Sequence, residues 1–262
     1  MIHCRRSLFG FIATAAILAS LSTIPARADN YSTGFESPQY TAGIALVGQN
    51  GWLEYGSAIN SVETFNVYAG SQAVFVDGSG TGQSGPYYPD APPDAGPLID
   101  LSAELYIASS SSQSEWQFAA TGPSLVGYIG GVDLIPDTST QDSIHLITGA
   151  GVDVGLLTLN TWNNFNFLFN MTTQTYSFSL NGVLIDSGLA FCGSNGGCTG
   201  ATISTYGDSF FDVFGAGGND SGYMDNFSVS DVSGVPEPGS ILLLSSVAML
   251  LGGGLLRRRA RS

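Results

Sequence analysis

Glu36, Glu54, Glu63, Glu104 and Glu115 are the glutamates on which acid–base chemistry would have to rest. Cleaving a glycosidic bond takes two carboxyl groups flanking it, and their separation sets the stereochemical outcome. A strand reading Glu-x-Asp-x-x-Glu would place such acids on one face by alternation. The residues two positions after each glutamate are Pro38, Gly56, Phe65, Tyr106 and Gln117, so that strand is absent. No Gly-x-Ser-x-Gly elbow and no His-Glu-x-x-His helix occurs either. Between the two ends of the chain the sole histidine is His145, and it reads as a surface side chain because no partner constellation surrounds it.

The charges narrow the field further. All seven basic residues are arginines at the two ends: Arg5, Arg6 and Arg27, then Arg257, Arg258, Arg259 and Arg261. The stretch between them carries acids but no lysine or arginine. Nothing there can neutralise phosphates, which excludes nucleic acid as a partner. Nothing can pair with a uronate carboxylate either, which counts against a polysaccharide lyase. Acidic side chains outside a cell do attract calcium, and solubility is the plainer account of most of them.

The elements that would position these residues read as strands. Leu98–Ala108 alternates Leu101, Ala103, Leu105 and Ile107 with Ser102, Glu104 and Tyr106. Phe165, Phe167 and Phe169 alternate with Asn164, Asn166, Leu168 and Asn170, and Thr175–Leu180 follows the same rule. Asn181-Gly182 is a two-residue hairpin turn into Val183–Ile185. Further strands are expected at Tyr31–Glu36, Trp52–Tyr55, Val62–Tyr68, Gln72–Asp77, Glu115–Ala119, Leu125–Ile129, Ile144–Thr148, Tyr206–Phe214 and Tyr223–Val229. Gly78 to Pro97, dense in glycine and proline, is expected to be one long loop carrying Tyr87 and Tyr88. The pattern implies an all-β, two-sheet antiparallel sandwich.

Both ends look like addresses. Arg5 and Arg6, the apolar run Leu8–Ile24 and the small residues Ala26 and Ala28 form a signal peptide over residues 1–28, which a signal peptidase would remove. At the other end Pro236-Glu237-Pro238 precedes an uncharged run, Ser240–Leu256, and then the arginine cluster. As a helix that run would rise about 25 Å, the short end of what spans a bilayer. A plain membrane anchor is one reading. The order of the three pieces over residues 235–262 resembles a PEP-CTERM sorting signal. The resemblance implies a membrane protease of the exosortase type as partner, cleavage near the Pro236–Pro238 motif, and a final place at the cell surface or in the extracellular matrix. In an exported protein Cys192 and Cys198, with a glycine-rich spacer, read as a disulfide; a two-cysteine metal site lacks further soft ligands nearby.

A second resemblance covers the domain, residues 29–234. Thr161-Trp162-Asn163-Asn164-Phe165, Thr175-Tyr176-Ser177-Phe178 and Leu180-Asn181-Gly182-Val183 are similar to laminin-G and concanavalin-A-like jelly rolls. Gly34-Phe35-Glu36, Gly51-Trp52, Gly70-Ser71-Gln72 and Tyr223–Val229 resemble the flanking strands of bacterial carbohydrate-binding jelly rolls. The resemblance implies that the first and last strands pair and bring Glu36 and Asp225 together around a structural calcium, with carbonyls of the Gly70-Ser71 turn. The aromatic candidates for an exopolysaccharide ligand are Tyr87 and Tyr88, whose loop reads first as a surface insertion, and Trp52 and Trp162, which read first as core. The expected whole is a jelly-roll sandwich flanked by an N-terminal signal helix and a C-terminal transmembrane helix. Its expected role is exported, non-catalytic and glycan-binding. A glycan hydrolase or lyase of the same fold, and a purely structural or adhesive matrix protein, are the alternatives.

Overall fold

Alternating side chains need two wet outer faces and one shared dry layer, and the described residues build that arrangement from fifteen strands. The computed structural model describes residues 30–56, 60–89, 96–108, 114–148, 151–193, 202–216 and 220–232. The first half contributes β1 (Asn30–Thr33), β2 (Leu53–Tyr55), β3 (Ser61–Glu63), β4 (Ala73–Asp77), β5 (Thr81–Tyr88), β6 (Leu98–Ala108) and β7 (Glu115–Gly122). A short 3-10 turn, Pro123–Leu125, leads to β8 (Val126–Pro136). Then come β9 (Gln141–Leu146), β10 (Val152–Thr158), β11 (Trp162–Asn170), β12 (Thr175–Leu180), β13 (Val183–Ala190), β14 (Ser209–Ala216) and β15 (Ser221–Asp231).

Every pairing is antiparallel. One sheet has eight strands in the order β13-β12-β11-β6-β15-β4-β3, with β1 also on β15. The other has seven, in the order β10-β9-β8-β7-β14-β5-β2. The all-β, two-sheet antiparallel sandwich expected from the alternation is therefore present, and it is consistent with the jelly roll that the resemblance implies. No helix among the described residues is long and apolar enough to cross a membrane. The expected signal helix, the tail with Pro236, Glu237 and Pro238, and Cys198 all lie outside the described residues.

The dry layer is aromatic. Phe165, Phe167 and Phe169 are fully buried and meet Phe178 and Tyr176 of the neighbouring strand. Phe118 reaches across from the seven-stranded sheet, its ring 5.7 Å from that of Phe167. Close approach of the sheets uses small residues: a Cβ on Gly222 would fall 2.6 Å from the Trp116 ring. The Asn181-Gly182 turn has φ of 51° and 74°, both positive as a two-residue hairpin requires.

Several boundaries differ from expectation, each for a local reason. The first strand stops at Thr33, because Phe35 turns left-handed (φ 59°) and its N–H is taken by the Thr33 hydroxyl. The strand expected through Tyr68 stops at Glu63; Asn66 is left-handed and the chain leaves the sheet. Gly78–Pro97 is not one loop, since it contains β5 between β14 and β2. The β5–β14 register skips Gly85 and Pro86, which pair instead with Tyr55 and Glu54 of β2, the edge strand. Strand β10 was not expected at all; its side chains are mostly exposed and a bulge between Asp153 and Gly155 breaks its alternation.

Candidate functional site

The outer face of the eight-stranded sheet carries a row of rings. Phe75 on β4 lies opposite Tyr223 on β15, Tyr223 opposite Tyr106 on β6, and Tyr106 opposite Trp162 on β11. Successive ring centroids are 5.5, 5.7 and 5.6 Å apart. Alternation explains the placement, since these residues occupy the positions between the buried Val74, Met224, Leu105 and Asn163. Cross-strand partners on one face stand about 5 Å apart, so the ladder runs across the strands with little freedom to shift.

Two more rings come from the β3–β4 loop. Phe65 is 56% exposed and meets Tyr223 edge-on at 6.0 Å; Tyr68 is 49% exposed and lies 5.8 Å from Trp162. Polar side chains border the rings one row on. Asn164 donates to Glu104 at 3.1 Å, and beyond it Asn166 donates to Asp100 at 2.9 Å. Burial pushes the Glu104 carboxyl above its ordinary range, while hydrogen bonds from Asn164 and Tyr68 oppose the rise.

Strand β1 pairs with β15, and Glu36 lies near enough for its charge to act on Asp225. Their task in the fold is visible: they hold the loop that presents Tyr68. Asp225 Oδ2 accepts from the N–H groups of Tyr68 and Ala69 at 3.1 and 3.0 Å, and Oδ1 from its neighbour Asn226 at 2.7 Å. Glu36 accepts from Ser71 N–H at 2.7 Å, the Ser71 hydroxyl at 2.6 Å and Gln72 N–H at 3.1 Å. The Ser71 hydroxyl holds Glu36 below the usual carboxylate range. Burial pushes Asp225 up, and the Glu36 charge adds to the rise. Gly70, at φ 74°, is required here: a Cβ would fall 2.1 Å from Glu36 Oε1. Hard oxygens from two acids suit calcium in kind. Yet no cluster of three or more acidic, histidine or cysteine side chains forms among the described residues, and both carboxylates already accept N–H and O–H donors.

The other aromatic candidates part company. Trp52 is fully buried and its indole N–H donates to the Tyr31 and Tyr40 hydroxyls at 3.0 and 3.1 Å, so it belongs to the core. Tyr88 stacks on Tyr31 with centroids 3.8 Å apart and touches Trp52 and Phe227, which makes it an inward residue. Tyr87 points the other way, beside Phe210 on the outer face of the seven-stranded sheet. Trp162 is half-buried and ends the ladder rather than filling the core. Phe65, Tyr68, Phe75 and Tyr223 were missed as ligand candidates; Tyr106, standing on the wetter face of β6, was the available signal.

The seven-stranded sheet presents a polar row in the same geometry. Gln117 on β7 faces Asp212 on β14 and Asp133 on β8; Asp133 faces His145 on β9, and His145 faces Asp153 on β10. Tyr128 donates to Gln117 Oε1 at 3.0 Å, and Gln117 donates to Asp133. Burial pushes Asp133 and Glu115 up, each moderated by His145. Beside the row lies a cleft of about 460 Å³ lined by Tyr55, Gln83, Thr121, Tyr128, Phe210 and Asp212, among others.

Fold and faces together define an all-β jelly-roll sandwich of the kind that also occurs in carbohydrate-handling proteins. A sialidase overlaps 70% of this chain at TM-score 0.53 and 12% identity, and the chain spans 17% of that protein's length. A carbohydrate esterase from the Shiga toxin-encoding bacteriophage phi24B overlaps 77% of this chain and 97% of its own, at TM-score 0.53 and 13% identity. The Emp47p carbohydrate recognition domain overlaps less closely, at TM-score 0.48 and 6% identity over 78% of this chain and 95% of its own. No family model matches the sequence. No curated protein matches it either.

Proposed function

We propose that the domain is a non-catalytic glycan-binding module of an exported protein, with the ring ladder as its binding face. The observation that carries this reading is the alignment of Phe75, Tyr223, Tyr106 and Trp162 across four neighbouring strands, with Phe65 and Tyr68 beside them. Sugar faces present C–H groups to such rings, and the amides and carboxylates of Asn164, Glu104, Asn166 and Asp100 stand ready for hydroxyls. The comparisons support the fold only. The ligand follows from the chemistry of the face: a neutral exopolysaccharide, since no basic side chain is at hand for an acidic one.

The rest of the reading concerns address. The signal peptide 1–28 is removed by a signal peptidase. Pro236-Glu237-Pro238 presents the tail to an exosortase-type protease, with Ser240–Leu256 held in the membrane until cleavage. The domain then stays at the cell surface or in the matrix. There Cys192 pairs with Cys198; Glu36 and Asp225 are the acids that would hold a structural calcium. The mass of the secreted form tests the address: a C-terminus near Pro236–Pro238 supports sorting, and an intact arginine tail supports permanent anchoring.

Affinity electrophoresis in neutral polysaccharides tests the activity. Wild type should be retarded, and Trp162→Ala and Tyr106→Ala should each weaken retardation about tenfold, the loss of a ring contact with its burial. Unchanged retardation in both variants would refute the ladder. Polymer length should be unchanged. Release of reducing ends would favour the hydrolase or lyase, a reading with one observation of its own: a buried acid, Asp212, on the same sheet face as Asp133. No retardation of wild type in any polysaccharide would leave the structural or adhesive matrix protein.

A further inference from the structure

Without lysine or arginine, the buried carboxylates of this domain must be satisfied by neutral donors. Asp220 accepts the Ser114 N–H, Asp208 that of Leu125, and Asp225 those of Tyr68 and Ala69, while Glu104 takes the Asn164 side-chain amide. Asp212 is satisfied on one oxygen alone. It is 4% exposed, its Oδ2 accepts only the Gln83 side-chain amide at 2.9 Å, and its Oδ1 has no partner. Thr121, 2% exposed, leaves its Oγ1 unpartnered as well, and both residues line the cleft on the outer face of the seven-stranded sheet. Two orphaned buried oxygens on residues that line one cleft are an unmet demand for hydrogen-bond donors. Gly85 lets β5 pass close to β14 here: a Cβ there would fall 2.3 Å from the Phe211 carbonyl and 2.4 Å from Asp212 Oδ1.

We propose that this cleft is a subsite for an amino sugar bearing a free ammonium group, with Asp212 Oδ1 as the counter-ion and Thr121 Oγ1 taking an adjoining N–H or hydroxyl. Four features of the cleft select that class. Tyr55, Tyr128 and Phe210 supply ring faces that attract both a cation and a sugar ring. Asp133 and Glu115 stand on the same sheet face and add to the negative field, with His145 the sole opposing group among the residues of this face. A volume near 460 Å³ suits a small ligand, not a polymer cross-section. Burial pushes the Asp212 carboxyl up to about 7, a rise that a bound ammonium group would reverse. The ladder is on the opposite sheet, so this inference stands apart from the neutral-glycan reading.

The test is calorimetric titration of the full-length protein with glucosamine trimer and with its fully N-acetylated counterpart. Wild type should bind the free-amine trimer at least about tenfold more tightly, the worth of one charge-assisted hydrogen bond. Asp212→Asn, which keeps shape and the Gln83 bond, should abolish the difference. Trp162→Ala should leave it intact, which separates this site from the ladder. Equal binding of the two trimers, no binding of either, or a preference that survives Asp212→Asn would each overturn the assignment. Where Asp212→Asn fails to fold, the wild-type comparison still decides, together with Thr121→Val, which should weaken binding of the free-amine trimer.

Discussion

Replacing Asp212 by asparagine should make the protein more stable at neutral pH and leave it unchanged in acid. Its carboxyl is buried beside Gln83 and Phe210 with no cation near it, and burial pushes its pKa up from 3.8 to about 7. Below pH 3.8 the group is neutral in the folded and unfolded chain alike. As pH rises the unfolded chain ionises first, while the folded chain keeps its proton, so native stability falls until pH passes about 7. At 1.36 kcal/mol per unit the loss is on the order of 4 kcal/mol, a sizeable part of a domain's total. Asp142, buried near Asp220 and Asp137 and pushed up to about 6, contributes in the same direction, so wild type alone cannot isolate Asp212. The difference between wild type and Asp212→Asn can. Urea unfolding followed by the fluorescence of the buried Trp52 and Trp116 measures it across the pH range. The stability gap should be small in acid, widen in favour of the variant through the window, and then level off. A gap independent of pH would mean that Asp212 ionises as an exposed acid does, and the reasoning from burial would fail.

Phe167→Ala should cost about 3–5 kcal/mol in the same urea assay, because the ring is fully buried against Phe178, Phe169 and Phe118. Gly70→Ala should lower Tm and free the loop bearing Tyr68, since its Cβ collides with Glu36 at a left-handed φ; an unchanged Tm would remove the clamp from the account. If Glu36 and Asp225 hold calcium, adding a chelator should lower Tm and Glu36→Gln should abolish that shift; identical melting with and without chelator rules the ion out.

The sandwich was legible because its core is written in period two. Phe165, Phe167 and Phe169, and Leu101, Ala103, Leu105 and Ile107, announce their shared face within a single strand. The Asn181-Gly182 turn announces the hairpin that follows β12. Strand β5 was illegible because proline and glycine argue against a ladder everywhere except at a gap in its register, and a gap is a property of the partner strand. The two outer faces were less legible still. Phe75, Tyr106, Trp162 and Tyr223 become neighbours only after β4, β6, β11 and β15 assemble, and a row running across strands leaves no period along the chain. The Glu36–Asp225 pair was found through a resemblance to jelly rolls, and its hydrogen bonds to the 68–72 loop were not foreseen because backbone donors carry no sequence signature.

A domain without side-chain cations other than one histidine has two kinds of carboxylate, and they answer acid in opposite ways. Glu36 has its pKa lowered, chiefly by the Ser71 hydroxyl, so what it contributes is present above its unfolded value and lost as pH falls through the folded one. Asp212 and Asp142, raised by burial, contribute in the reverse sense. Acid should therefore loosen the 68–72 loop while easing the strain of the buried acids within the seven-stranded sheet. Hydrogen exchange reads the two effects separately. After correction for intrinsic rates, the Ser71 and Gln72 amides should exchange faster near pH 3 than near pH 6, across the range where a glutamate titrates. The Val213 amide, on the same strand as Asp212, and the Asp133 amide, on β8 of the same sheet, should not. Protection of Ser71 and Gln72 that is indifferent to pH would show that the loop is held by something other than the Glu36 carboxylate.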